Sequence, residues 1–237
     1  MYNGGAELST LFYSTTKRAL APIVKPLGFR CKGRFYHRII DNVVQQFCLL
    51  WLNHDFTIRF HISSVFGDND KHIEGSEIAK LIDGSNNMWL GQRMVKSELQ
   101  QQFSLQGPSA NLFPNYNECA NTCVDMLVNY LIPWFNGANT SASAYKMAKE
   151  ANIFDPLRQE HDSYKCLGFL LDMELWDQSA TLIKYYLDNN RLYNQIWWKP
   201  REQEYRQLYD ALTNGDTLYL KQYMDNKKSQ TYSLFGY

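Results

Sequence analysis

The most regular alternation of apolar and polar residues in the chain lies between Phe29 and Ser63. Successive side chains of a β-strand point to opposite faces, so such alternation predicts extended structure. Phe29 to Ile39 is typical of one strand, Val43 to Leu52 of a second, and Phe56 to Ser63 of a third. Asp41-Asn42 favours a tight two-residue turn between the first two. The pattern predicts an antiparallel meander.

The lengths of the two turns determine which residues share a face. A two-residue loop at Asp41-Asn42 and a three-residue loop from Asn53 to Asp55 give pairings that agree with each other. A two-residue second loop would flip the third strand and mix the faces, which the need to bury one face disfavours. We therefore expect one face to form the core, with Phe35, Cys48, Leu50, Phe56 and Phe60 on it.

The opposite face is then expected to be basic and aromatic together. It would carry Phe47 and the seven candidate binding residues, which are Lys32, Arg34, Tyr36, Arg38, Trp51, Arg59 and His61. Arginine and aromatic side chains are frequent anchors of docking surfaces. A second interpretation stays open, in which the C-terminal helices cover this face. Val43 to Leu52 is apolar on both sides, as in a strand buried on two faces.

A family resemblance begins in the same stretch. Pro26-Leu27-Gly28-Phe29-Arg30, then Lys32-Gly33-Arg34-Phe35-Tyr36-His37-Arg38, and then Phe56-Thr57-Ile58 resemble the start of the bacterial family called domain of unknown function 4304. In that family, a basic strand with this opening follows an N-terminal helix. The resemblance covers about residues 8–135 and implies an α+β fold. The family has no established activity, so the resemblance implies no catalytic residues.

The rest of the chain favours helices. Ala6 to Leu20 predicts an amphipathic helix that Pro22 and Pro26 end, and Glu118 to Phe135 predicts a helix that stops near Pro133. Met88 to Arg93 and Gln101 to Leu105 are candidates for short further strands. The predicted fold class is α+β, with an N-terminal helix, an antiparallel meander sheet with flanking helices, and an all-helical C-terminal extension.

A small, polar segment from Asn136 to Ser143 suggests a domain boundary. We expect an α+β domain at 1–137 and a helical domain at 138–237. In the latter, Leu182 to Asn189 resembles Tyr219 to Asn226 at a spacing of 37 residues. This spacing favours helical-hairpin pairs in a repeat-like arrangement. Chance similarity between two amphipathic helices is the alternative.

Composition narrows the function classes only a little. The 24 basic and 24 acidic residues cancel, but residues 1–64 hold eight basic and three acidic residues, a net charge of +5. Compensation within the molecule and a face for an acidic partner are both compatible with this asymmetry. No apolar run approaches the ~20 residues of a membrane span. We expect a cytoplasmic bacterial protein that does not bind membranes.

The chemistry-bearing residues predict no cofactor and no metal site. The five cysteines, an odd number, fit no disulfide framework, and Cys119 with Cys123 lacks the further ligands that zinc requires. We interpret the cysteines as buried thiols. No phosphate loop and no nucleophile–base motif is present, so we predict that the chain is not an enzyme.

Three functional hypotheses follow from the basic-aromatic face. The first is a protein-interaction module that docks a protein with an acidic surface, for example an immunity protein that neutralises a toxin. The second is a nucleic-acid binder, because aromatic stacking with Arg and Lys on a sheet is typical of single-strand recognition. The third is an enzyme that uses His61 and nearby arginines on a phosphorylated or carboxylate substrate.

Overall fold

The computed structural model describes residues 4–52, 55–67, 121, 123–150, 164–189 and 195–237. These residues form an N-terminal helix, a four-stranded antiparallel sheet of order β1-β2-β3-β4, and then further helices, which confirms the α+β class. The strands are β1 Arg30–Lys32, β2 Phe35–Ile40, β3 Val43–Leu52 and β4 Asp55–Ser64. The described helices are α1 Gly4–Val24, α2 Ile132–Gly137, α3 Ser141–Glu150, α4 Tyr164–Asp172, α5 Trp176–Asp188, α6 Gln195–Asn214 and α7 Thr217–Phe235.

The predicted first strand is in fact a hairpin of two strands. Gly33 adopts a φ of +63°, a left-handed conformation that glycine tolerates without strain, and it turns the chain between β1 and β2. As a result, Lys32 pairs with Phe35 of β2. The prediction of one continuous strand, in which Lys32 would lie beside β3, is therefore wrong. The Asp41-Asn42 turn is confirmed, and both of its residues have positive φ.

The predicted register of the last hairpin is also wrong. Leu52 pairs with Asp55, so the loop has two residues rather than three, and Phe60 pairs with Phe47 rather than with Cys48. A shift of one residue moves every side chain of a strand to the other face. Relative to β2 and β3, the β4 residues that were expected on the core face therefore lie on the face that was expected to be basic and aromatic, and the reverse.

Described residues of β2, β3 and β4 are buried on both faces of the sheet, which removes the physical objection to the two-residue loop. On one face, Tyr36, Phe47 and Phe60 belong to the main hydrophobic core, which also contains residues of α1 and of α4 to α7. On the other face, Val44 forms a smaller core with Phe235 of α7. The first of these two faces is called the main-core face below, and the second is called the α7 face.

Two prolines expected to end helices lie inside them. α1 continues past Pro22 to Val24, and the burial of Val24 offsets the one helical hydrogen bond that a proline removes. Pro133 falls in the first turn of α2, directly after one turn of π-helix at Leu127–Leu131. The helix is continuous at this point, since the Ile132 N–H bonds to the Leu127 carbonyl, and the π-helical turn before Pro133 is a local change in hydrogen bonding of the kind that accommodates a proline.

The C-terminal region forms successive packed helices. Contacts join α4 to α5, α5 to α6, and α6 to α7. The Asp216 side chain accepts a hydrogen bond from the Tyr219 backbone N–H at 3.0 Å and caps α7. The proposed strands at 88–93 and 101–105 lie outside the described residues, and the boundary near residue 137 stays a prediction.

Candidate functional site

The expected basic-aromatic face is not one continuous surface. Lys32 is exposed and Arg34 is half-buried, because both lie at the hairpin between β1 and β2. By contrast, Tyr36 and Arg38 are only 2% and 4% exposed. The register places these two side chains on the main-core face, so neither can anchor a partner without unfolding. The prediction that the four residues share an exposed face is wrong.

The remaining three candidates occupy known strand positions, although their side chains lie outside the described part. The backbone register pairs Trp51 with Phe56, Arg59 with Cys48, and His61 with Gln46. Cys48 and Gln46 in turn pair with Phe35 and His37 of β2, on the α7 face. The strand positions of Arg59 and His61 are therefore on the α7 face, whereas Tyr36 and Arg38 lie on the main-core face. The expected register had placed all four on one face. Their role as binding residues stays a prediction.

Tyr36 is a core residue whose neighbours explain its burial. Its ring stacks on Phe47 with the centroids 4.5 Å apart and the planes within 2° of each other. Burial raises the pKa of its hydroxyl, and the neighbouring Cys31 raises it further. Phe47 also makes an edge contact with Phe29 at 5.4 Å. This aromatic pair fills the core and presents no face to a ligand.

Arg38 connects three separate parts of the chain inside the protein. Its Nε donates to Gln45 Oε1 at 2.7 Å, one Nη donates to the Leu27 carbonyl at 2.9 Å, and the other donates to Asn136 Oδ1 at 3.1 Å. The guanidinium also lies over the Phe29 ring at 4.6 Å. Burial lowers the pKa of Arg38 from its ordinary value. No carboxylate of the described residues forms an ion pair with Arg38, so neutral acceptors alone stabilise it there.

Gln45 extends this network to the end of α2. Its Nε2 donates to the Phe135 carbonyl at 2.7 Å and to the Ala138 carbonyl at 3.0 Å. The last carbonyls of a helix have no partner within it, and they carry the negative end of its dipole. Gln45 thus binds the carbonyls at this helix end, and Arg38 binds the Asn136 side chain beside them. The role of Arg38 that the structure shows is structural.

The exposed positive charge lies at the β1–β2 hairpin. We call Arg30, Lys32 and Arg34 the basic hairpin. Arg30 and Lys32 are exposed, and Arg34 is half-buried with its guanidinium 5.4 Å from the Phe35 ring. Within the described part of the chain, no carboxylate forms an ion pair with any of the three. Arg30 was absent from the sequence-based candidates, and recognition of the Gly33 turn would have grouped it with the other two.

The end of the last helix holds Arg30 in place. One Nη of Arg30 donates a hydrogen bond to the Gly236 carbonyl, and the guanidinium lies 3.8 Å from the centroid of the Tyr237 ring. Gly236 adopts a φ of +72° and ends α7 in a left-handed cap. Tyr237 is 39% exposed, so the hairpin has an aromatic neighbour at its surface.

His37 lies beneath the basic hairpin. It pairs with Arg30 across β1 and β2, and its Nε2 lies 3.1 Å from the Phe235 carbonyl. Burial lowers the pKa of His37, the bond to Phe235 opposes this effect, and the positive charges of Arg30 and Lys32 lower the pKa further. Burial is the main cause of the lowered pKa of His37, and the smaller effect of Arg30 and Lys32 reflects their positive charge on this side of β1.

The cysteines provide no further site. Cys48, Cys123 and Cys166 are buried, which agrees with the expectation, whereas Cys31 is exposed and was wrongly placed with the buried residues. Cys119 lies outside the described residues. Among the side chains that the structure describes, no cluster of His, Cys, Asp or Glu is arranged to hold a metal ion. No described helix combines the length and the apolar character needed to cross a membrane.

Comparison with protein-family models, with curated proteins and with solved structures found no match to this chain. The resemblance to the domain of unknown function 4304 family therefore stays a prediction that rests on the residues quoted above.

Proposed function

We propose that this chain is a non-enzymatic protein-interaction module that binds an acidic surface of another protein through the basic hairpin. One observation carries the proposal, namely that Arg30, Lys32 and Arg34 cluster at the surface without an ion-pair partner among the described carboxylates. An immunity protein that neutralises a toxin is one concrete form of such a module.

Two further features support this use of the basic hairpin. The Tyr237 ring and the Gly236 carbonyl restrain Arg30, so less side-chain entropy is lost when a partner binds. Complementary charge accelerates encounter and disfavours partners of the same sign. The positive charge of residues 1–64 is thus concentrated, in part, where a partner can reach it.

The nucleic-acid alternative loses two of the aromatic residues on which it was based. Single-strand recognition on a sheet needs exposed aromatic rings for base stacking. Tyr36 and Phe47 stack on each other instead and are each 2% exposed. Protein binding therefore has the stronger support of the two.

Affinity capture from the native cell tests the proposal. The wild-type chain is compared with Lys32→Glu/Arg34→Glu and with a control, Lys17→Glu/Lys221→Glu, that makes the same charge change at exposed positions on α1 and α7. Each captured protein is identified and its binding to the purified chain is measured by calorimetry.

We expect a protein with an acidic surface that binds wild type and control but binds the hairpin variant at least about tenfold more weakly, the effect of losing roughly 1.4 kcal/mol. A set of partners that is unchanged in the hairpin variant, or the absence of any partner that binds directly, would contradict the proposal. Capture of nucleic acid that is lost in the hairpin variant would replace it with the nucleic-acid hypothesis.

A further inference from the structure

The strand of the basic hairpin is also an edge of the sheet. Among the described strands, β1 pairs only with β2, and its three residues, Arg30, Cys31 and Lys32, are all exposed. An edge strand presents N–H and C=O groups that can pair with another extended chain. The location of the charge and the location of the open edge therefore coincide.

The register identifies the backbone groups that point outward. Lys32 and Phe35 flank the two-residue turn, and such a closing pair exchanges hydrogen bonds within the hairpin. Hydrogen-bonded and non-hydrogen-bonded pairs alternate along an antiparallel ladder. The next pair, Cys31 with Tyr36, is therefore of the second kind, and the N–H and C=O of Cys31 point away from β2. No turn, loop or helix cap of the described residues makes a backbone hydrogen bond to either group.

We propose that an extended acidic segment of the partner adds to β1 as a fifth strand, with carboxylates at alternate positions opposite Arg30 and Lys32. This inference rests on the proposed function and names the partner's local chemistry. Strand addition is a recurring mode of peptide recognition, in which main-chain hydrogen bonds give affinity and alternate side chains give specificity.

Geometry determines the spacing of the acidic residues. The central residue of the added segment would pair directly with Cys31 and exchange two hydrogen bonds with it. Its two neighbours would lie opposite Arg30 and Lys32, whose side chains share the α7 face with their partners His37 and Phe35. Directly opposed side chains on adjacent strands have Cβ atoms about 5 Å apart, within reach of an ion pair. The preferred segment is thus acidic–any–acidic.

Binding of synthetic peptides to the full chain tests the inference. The probe is a fluorescent peptide of sequence Thr-Glu-Val-Glu-Thr with blocked ends, and its dissociation constant is measured by polarisation at low salt. A second peptide carries an N-methyl group on the central valine, which removes the N–H that would bond to Cys31. A third carries the N-methyl group on the second glutamate, whose N–H would point away from β1.

We expect the parent peptide and the glutamate-methylated peptide to bind, and the valine-methylated peptide to bind about tenfold more weakly. Lys32→Gln should weaken binding of the parent, whereas Lys17→Gln should leave it unchanged. Bound peptide should also slow amide hydrogen exchange at Cys31.

Two outcomes would overturn the inference. Absence of binding would mean that the short, basic edge serves to prevent pairing with other chains. Binding that needs Lys32 but tolerates methylation at the valine would mean docking on charge alone, which contradicts strand addition and leaves the proposed function intact. The proposed function is tested separately, because its failure would be seen with captured native partners and not with these peptides.

Discussion

The Nε2 of His37 lies 3.1 Å from the carbonyl oxygen of Phe235, which is 198 residues farther along the chain. Since a carbonyl only accepts, Nε2 carries the proton and donates it. The imidazole also packs on the Phe235 ring with the centroids 5.0 Å apart. This contact fixes the end of α7 against β2 and thereby brings Gly236 and Tyr237 to Arg30.

Acidification is expected to destabilise the fold at this position, because burial disfavours the protonated imidazole even though its bond to Phe235 favours it. Burial lowers the pKa of His37, so the unfolded chain takes up a proton at a higher pH than the folded chain does. The contribution to stability is therefore complete above the unfolded pKa of about 6.5 and is lost as the pH falls through the lower, folded pKa. In His37→Gln, the amide can donate to Phe235 without titrating. The free energy of unfolding of wild type should decrease more than that of His37→Gln between about pH 7.5 and about pH 5.5. Denaturant titrations at the two pH values measure this difference, and equal decreases would contradict the role of His37.

Removal of the Arg38 guanidinium is expected to destabilise the fold. Arg38→Met would leave Gln45 Oε1, the Leu27 carbonyl and Asn136 Oδ1 without their donor. The expected loss is about 3 kcal/mol in the free energy of unfolding, since buried acceptors without partners are costly. Arg34→Met is the control at the half-buried hairpin position and should change stability by no more than about 0.5 kcal/mol. Similar values for the two variants would show that the network around Arg38 is not important for stability.

Gly168 allows α4 to approach the end of β4 closely. A Cβ at this position would lie 2.7 Å from the Gly67 backbone nitrogen and 2.7 Å from Ser64 Cβ. Gly168→Ala is therefore expected to cost about 2 kcal/mol by overpacking, although alanine favours helix. Gly137→Ala is the control, since its nearest neighbours would be Met147 Sδ and Cε at ordinary distances of 3.6 and 3.9 Å. Thermal unfolding of both variants tests this prediction, and an unchanged or raised melting temperature for Gly168→Ala would contradict it.

Asn42 combines a turn conformation with two tertiary contacts. Its φ is +65°, its Nδ2 donates to Asp172 Oδ1 at 2.9 Å, and its Oδ1 accepts from Lys228 Nζ at 3.0 Å. Asn42→Gly keeps the conformation and loses the contacts, so we expect a loss of about 1 kcal/mol. Asn42→Ala loses the contacts and adds backbone strain, and we expect about 2 kcal/mol. Equal losses in the two variants, measured by denaturant titration, would mean that the turn is not strained by alanine.

The site was only partly predictable from local sequence. Lys32 and Arg34 were placed at a surface and are found there. Tyr36 and Arg38 were assigned to the same surface because strict alternation was extended through Gly33, where the chain turns. In the folded protein, Arg38 donates hydrogen bonds to Leu27, Gln45 and Asn136. Such a set of partners, distant in sequence, has no local pattern by which it can be recognised.

The sequence alone determined the α+β class, the extended character of residues 30 to 64 and the turn at Asp41-Asn42. Each of these depends on interactions between residues close in the chain, so a local pattern is sufficient to predict it. The tertiary structure alone decided the register of β4 and the burial of Tyr36 and Arg38. The register was misassigned because one exposed face was assumed, whereas α7 covers the second face. When a distant helix buries the second face as well as the first, alternation no longer distinguishes inside from outside.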